Sequence, residues 1–254
     1  MIRVVILGIG NVGTHLYCAL QNYEAVEVIQ LFNRSMDALS PFKNEIATTT
    51  SYSEIKDADI YIIATKDDTI EAVSAQIPYT NKLVVHTSGS ISIDVLSSKN
   101  NKGSFYPLQT FSKNREVDFS TIPIGIEAEN KKDEALLEKL AGALSQKVYK
   151  INSTQRKSLH LAAVFVNNFT NHLVQVGTEL CEDNQLNFQL LLPLLKETVS
   201  KLDILSAIEA QTGPAKRNDI GTITAHLNQL KNKNHKAIYS VISESILKTY
   251  GEKL

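Results

Sequence analysis

This sequence predicts an α/β fold: a mostly parallel sheet with helices on both faces, followed by an all-α C-terminal domain. Three observations lead there. Short β-rich runs alternate with helical patterns through the first 150 residues, a glycine-spaced turn joins the first run to the first helix, and no alternating segment follows residue 151. Such alternation builds βαβ units, whose crossovers require parallel strands. A boundary near residue 151 follows, giving domains 1–151 and 152–254.

Strands are expected at residues 3–7, 27–32, weakly at 46–48, then at 60–64, 83–86, 103–106, 122–127 and 148–151. Helical patterns fill residues 11–22, 69–76 and 131–146, with Asp68 or Thr69 placed to cap the second of them. Asn152 with Gln155 three residues on is a capping pattern for a helix reaching about Glu182. That helix would be about 45 Å long. Residues 161–166 are apolar on every side, so this stretch is expected to be covered from several directions. Further helices are expected at 188–200 with a kink at Pro193, at 219–230 and at 235–250, with a shorter one over 202–210.

Composition narrows the function classes. The 254 residues carry 26 basic and 27 acidic side chains, a net charge of -1, which gives no overall attraction to nucleic acid or to an anionic membrane. With 43% apolar and 21% charged residues the chain has the makings of a large core, and disordered classes are excluded. No run reaches the roughly 18 apolar residues of a membrane span, and the N-terminus reads as a strand rather than a signal peptide. Two distant cysteines, Cys18 and Cys181, point to a reducing compartment, with the cytoplasm as the expected location.

Gly8-Ile9-Gly10-Asn11-Val12-Gly13 follows the first strand directly and opens a helix. Gly8 permits a tight turn, Gly10 lets the backbone approach a pyrophosphate, and Gly13 allows close helix–strand packing. The phosphates would rest on the amides of the helix N-terminus, and Asn11 and Val12 belong to the same cradle. This is the dinucleotide-binding fingerprint of a Rossmann-like domain. The second strand ends at Phe32-Asn33-Arg34-Ser35 with no carboxylate, so the ribose corner offers Arg34, Asn33 and Ser35 to a 2′-phosphate. NADP(H) is favoured over NAD(H). Ala64, Thr65 and Lys66 at the fourth strand's end, and Thr87 at the fifth, would line the same crevice, because ligands of open parallel sheets bind outside the strands' carboxyl ends.

Substrate groups are sought at the same edge. His86 and Ser88 follow the fifth strand beside the expected nicotinamide, and Gln109 follows a proline-fixed turn after residues 103–106. His160 starts a polar line through the apolar helix: at 100° per residue Asn167 returns to within about 20° of it, and Asn168 lies about 80° away. An imidazole titrates near neutrality, so His160 can donate a proton as hydride arrives, with Asn167 or Asn168 holding the reacting group. Thr212 and Arg217 sit in an interhelical turn, where Arg217 can hold a substrate carboxylate or pair with Asp219. No metal site is expected.

Taken together, the 8–13 turn, His86-Thr87-Ser88-Gly89-Ser90, Tyr106-Pro107-Leu108-Gln109-Thr110-Phe111, His160 through Phe169, and Thr212-Gly213-Pro214 resemble a known family. It is that of NADP oxidoreductases which pair an N-terminal Rossmann-like domain with a helical C-terminal domain of unknown function. More distantly, the chain is similar to pyrroline-5-carboxylate reductases, ketopantoate reductases and β-hydroxyacid dehydrogenases. The resemblance implies a cofactor cleft between the domains and a homodimer formed through the helical domain. It also marks a departure: Val164 stands where the β-hydroxyacid dehydrogenases carry a catalytic lysine. The leading expectation is an NADPH-dependent reductase of a small carbonyl or imine compound. The alternatives are a catalytically silent NADP-binding regulatory or scaffold protein, and a deazaflavin-linked NADP reductase.

Overall fold

The computed structural model describes residues 1–250 and divides into two compact units, Met1–Val164 and a second beginning at Phe165. The first is built on an eight-stranded sheet. Its elements are β1 (Ile2–Leu7), α1 (Asn11–Leu20), β2 (Val26–Phe32), α2 (Met36–Leu39), β3 (Thr48–Thr49), β4 (Ile60–Ile63), α3 (Ile70–Gln76), β5 (Leu83–His86), β6 (Asn101–Pro107), β7 (Ile124–Ala128), α4 (Lys131–Leu144), β8 (Val148–Lys150) and α5 (Ser153–Ala163). The strand order is β3-β2-β1-β4-β5-β6-β7-β8, with only the β6–β7 pair antiparallel. Chain order reverses at β1 and β4, and their carboxyl ends Leu7 and Ile63 are register partners. This is the switch point of a Rossmann-like sheet, where a crevice opens.

Side chains of a strand alternate between faces, and here both faces are covered. Val4 and Ile6 of β1 join a core with Leu16 and Leu20 of α1 and Leu137, Leu140 and Leu144 of α4. Val5 and Leu7 join the opposite core with Tyr61 and Ile63 of β4 and Ile70 and Val73 of α3. That double burial explains why residues 4–7 of β1 and all of β4 read as unbroken apolar runs.

Several boundaries differ from the sequence reading, each for a local reason. The weak third strand is Thr48–Thr49 alone, paired with the end of β2. Residues 67–69 form a separate 3₁₀ turn before α3, and neither Asp68 nor Thr69 caps the helix with its side chain; the Thr69 hydroxyl donates to the Lys66 carbonyl instead. β6 runs longer than expected because it pairs on both sides, with β5 and β7. α5 does start with the Asn152–Gln155 capping box, each side chain accepting from the other's backbone N–H.

The long helix expected from there to Glu182 runs without a gap as α5, a π-helical segment Val164–Phe169, and α6 (Thr170–Asp183). A π turn carries more residues than an α turn. The 100° arithmetic that aligned Asn167 with His160 therefore does not apply across it. Nor is residues 161–166 the covered stretch their composition suggested: Leu161 is 60% exposed and Val166 75%. Apolar composition says that a helix needs cover, not which chain supplies it.

The second unit continues with α7 (Leu192–Ser200), α8 (Ala207–Ala210), α9 (Ile220–Gln229) and α10 (Lys233–Tyr250). Pro193 lies in the first turn of α7 after a 3₁₀ turn at Phe188–Leu191, so it starts the helix rather than kinking it. The helix expected over 202–210 is only a 3₁₀ turn, Lys201–Asp203, and the four residues of α8. Asp219 caps α9 by accepting from the Thr222 amide, which holds its carboxyl below the usual carboxylate range. No helix among the described residues is long and apolar enough to cross a membrane.

Candidate active site

The β1–α1 turn has the geometry a pyrophosphate requires. Gly8 adopts φ +102°, in the left-handed region, and a Cβ there would lie 2.7 Å from the Ala64 carbonyl oxygen. A Cβ on Gly13 would overlap the Gly8 carbonyl, so glycine is what lets α1 close onto the turn. Gly10 is different: a Cβ there meets nothing within 4 Å. The turn is thus tight beneath and open above. α1 begins at Gly10 with no side-chain cap and no acidic residue in its first turn. Its first amides lack intrahelical partners and its dipole is uncompensated, which suits an anion.

The neighbouring corner is preset by Asn33. Its Oδ1 accepts from the Ile9 amide at 3.2 Å and its Nδ2 donates to the Ser35 carbonyl, so it ties the end of β2 to the glycine turn. Ser35 accepts from the Asp37 amide and caps α2. Arg34 between them is exposed and makes no ion pair among the described residues, leaving its guanidinium free for a phosphate. The residues present therefore fit a phosphorylated dinucleotide, with Arg34 as the charged group and Asn33 and Ser35 as the frame around it.

The other strand ends complete this edge. Ala64 and Thr65 pack against Gly8, and Thr65 Oγ1 is a buried oxygen without a hydrogen-bond partner. Lys66 is exposed, and the Thr87 amide donates to the Ile63 carbonyl. The loop after β6 folds back over α1: Asn11 Nδ2 donates to the Phe111 carbonyl, and His15 Nε2 lies 3.0 Å from that of Ser112. Asn11 thus also has a structural duty. Gln109 is exposed, with Oε1 accepting from the Thr110 amide.

His86 and Ser88, expected to meet substrate, are turned inward. His86 has no exposed surface; its Nδ1 accepts from the Ser88 amide at 3.2 Å, and Nε2 is buried and unpartnered. Burial, with Arg156 adding to it, pushes the imidazole down to about 4, so it is neutral at physiological pH. The Ser88 hydroxyl oxygen accepts from the amides of Ser90 and Ile91. Both side chains shape the 87–91 loop rather than line the edge.

What holds that loop was absent from the sequence reading. Arg156, on α5, has no exposed surface. Its Nε donates to the Ser88 carbonyl at 3.1 Å, its Nη2 to the Ile91 carbonyl at 2.6 Å and to Ser153 Oγ, and its Nη1 pairs with Glu127 of β7. Glu127 also accepts from the amide and hydroxyl of Ser153. One helical turn further along α5, on the same face, stands His160. It meets the loop at Gly89, where a Cβ would lie 2.6 Å from the imidazole Cγ and Nδ1, and its Nδ1 is 3.1 Å from Tyr106 Oη at the end of β6. Tyr106 and Arg156 carried a signal, since each stands within a turn or a strand end of a residue already singled out. Asn167 and Asn168 are exposed in the π-helical segment. Thr212 lines an apolar cavity of about 330 Å³ within the helical unit, and Arg217 is exposed without an ion pair to Asp219. A larger cavity there, about 550 Å³, likewise contains no residue of the sheet edge.

Residues 3–94 match the family model described as NADP oxidoreductase, coenzyme F420-dependent, and residues 122–246 match a domain of unknown function, DUF2520. A crystal structure from Bacteroides fragilis, described as an NADP oxidoreductase, is 39% identical over 97% of this chain and 98% of its own, with a TM-score of 0.90. A Thermotoga maritima protein is 20% identical over 98% and 99% of the two chains, with a TM-score of 0.74. A Plasmodium falciparum pyrroline carboxylate reductase with NADP bound shares the fold at 14% identity over 98% of this chain and 98% of its own, TM-score 0.62. No curated protein matches the chain.

The three glycines separate fold from binding. Gly10→Ala should leave the thermal midpoint within about a degree of native yet weaken NADPH binding at least tenfold, whereas Gly13→Ala should lower both, because its Cβ has no room. Calorimetry and thermal melts of the two variants distinguish them; a Gly10→Ala protein that binds NADPH at native affinity contradicts the cradle.

Proposed function

Because the chain belongs to the NADP oxidoreductase family, we propose that it binds NADP(H) along the Gly8–Gly13 edge and reduces a small carbonyl or imine compound. The observation that carries this reading is His160, held against Gly89 and Tyr106 at the carboxyl edge of the sheet. When bound, NADPH supplies hydride from its nicotinamide ring. The chain's part is to orient and to manage the proton. As carbon gains hydride, the substrate oxygen or nitrogen gains negative character, and His160 gives it the proton.

Arg34 reads the coenzyme's 2′-phosphate, and the uncapped start of α1 receives the pyrophosphate. The valine at 164, where β-hydroxyacid dehydrogenases have lysine, favours an imine over a hydroxyacid. An imine nitrogen takes up a proton more readily than a carbonyl oxygen does, so the His160 proton can serve it without a lysine, and the fold likeness to a pyrroline carboxylate reductase points the same way. Asn167 or Asn168 would hold the reacting group, with Gln109 as a further substrate contact. A second copy of the chain is the cover proposed for the bare apolar side chains Leu161, Phe165 and Val166.

Single-turnover NADPH oxidation against keto acids and cyclic imines tests the reaction. His160→Ala should slow an accepted substrate by about 100-fold or more, and calorimetry should show NADPH bound more tightly than NADH, a preference that Arg34→Ala removes. Equal rates for native and His160→Ala proteins contradict the role of His160. Tight coenzyme binding with no turnover on any compound would instead favour a regulatory NADP-binding protein. The homodimer is checked by sedimentation equilibrium, where a monomer at micromolar concentration contradicts it.

A further inference from the structure

The environment of His160 treats its two nitrogens differently. Nδ1 faces Tyr106 Oη at 3.1 Å, and the same end of the ring, Cβ, Cγ and Nδ1, is the part that abuts Gly89. Nε2 has no hydrogen-bond partner among the described residues. The imidazole is therefore gripped at one end and open at the other. The two rings meet near edge-on, with centroids 6.1 Å apart and planes at 73°.

We propose that Tyr106 is the positioning residue of His160: its phenol donates to Nδ1, which fixes the proton of the neutral imidazole on Nε2, the end left open to substrate. The proposal rests on His160 being the proton donor of the reduction. A phenol has one proton to give and an oxygen that also accepts. Among the described residues Tyr106 Oη makes no other hydrogen bond, so Nδ1 is the one acceptor they offer its proton. Tyr106 is 8% exposed, and burial raises its pKa against the opposing pull of Arg156. It stays a neutral phenol at physiological pH and does not compete with the histidine as an acid.

The same pair serves the protonated ring. When both nitrogens carry protons, Nδ1–H donates to Tyr106 Oη while Nε2–H faces the substrate. On transfer the Nε2–H bond breaks as the bond to the substrate oxygen or nitrogen forms. The electron pair stays on Nε2, which leaves the ring's proton on Nδ1; solvent then protonates Nε2 and takes the Nδ1 proton, so that Tyr106 again donates to Nδ1. Tyr106 touches neither substrate nor coenzyme in this scheme; it acts by holding the nitrogen that does not react. Gly89 contributes by closing the Nδ1 end of the ring, so that the ring cannot withdraw from the phenol into the loop.

The test is ¹⁵N NMR of histidine-labelled full-length protein at alkaline pH, where pyrrole-type and pyridine-type ring nitrogens resonate far apart. Native His160 should show a pyridine-type Nδ1 and a protonated Nε2, and Tyr106→Phe should relax it toward a mixture of tautomers. On an accepted substrate, Tyr106→Phe should lower the single-turnover rate about tenfold, near 1.4 kcal/mol, with NADPH affinity unchanged. A native His160 carrying its proton on Nδ1, or an unchanged tautomer in Tyr106→Phe, overturns the proposal, and the first of these needs no variant to fold. Native turnover in Tyr106→Phe overturns it as well. Native turnover in His160→Ala together with the expected tautomer would instead refute the role of His160 in the reaction, so the two failures are distinguishable.

Discussion

A guanidinium with no exposed surface fixes the working edge of this protein. Removing such a charge from water costs several kcal/mol, and Arg156 offsets that with Glu127, two loop carbonyls and Ser153 Oγ. A buried ion pair is a poor argument for stability, since an apolar pair of similar volume often does as well. Its geometric effect is harder to replace. The fork geometry of arginine lets one side chain bind β7, the 88–91 loop and the first turns of α5 at once. His160 follows one turn later, and its place against Gly89 and Tyr106 is set by where Arg156 pins the helix.

The same cation organises the electrostatics around it. It works with burial to keep His86 neutral, and it opposes the effect of burial on Tyr106. Around the 87–91 loop, His86 is committed to shaping the loop and Tyr106 faces the histidine, while the imidazole Nε2 of His160 has no partner among the described residues. At the other end of the edge the uncapped start of α1 and the open space above Gly10 suit a phosphate without any side chain, and the exposed Arg34 stands beside them.

The glycine-turn half of this arrangement is legible in the sequence because its determinants are local. Glycine spacing, a strand before it, a helix after it and the absence of a carboxylate from Asn33-Arg34-Ser35 at the end of β2 lie within some thirty residues. The buried residues 4–7 of β1 and the whole of β4 are equally plain as unbroken apolar runs. The histidine half depends on pairings between distant positions: Arg156 with the Ser88 carbonyl across 68 residues, and His160 with Tyr106 across 54. A lone arginine in a polar helix turn reads as solvated until the loop that needs it is in place. His86 misled for the converse reason, since a strand-end histidine looks available until the loop after it folds inward. The π-helical turn at Val164–Phe169 leaves no mark in a 100° periodicity and shifts every alignment drawn through it.

The claim that Arg156 sets the site can be separated from its share in stability by replacing both partners. In an Arg156→Met, Glu127→Leu protein no charge is left buried and unpaired, so the thermal midpoint should stay near native. Hydrogen exchange at the Ser88, Ser90 and Ile91 amides should nevertheless quicken at least tenfold as the loop loses its clamp. Native protection of those three amides in a stably folded double variant would contradict the account.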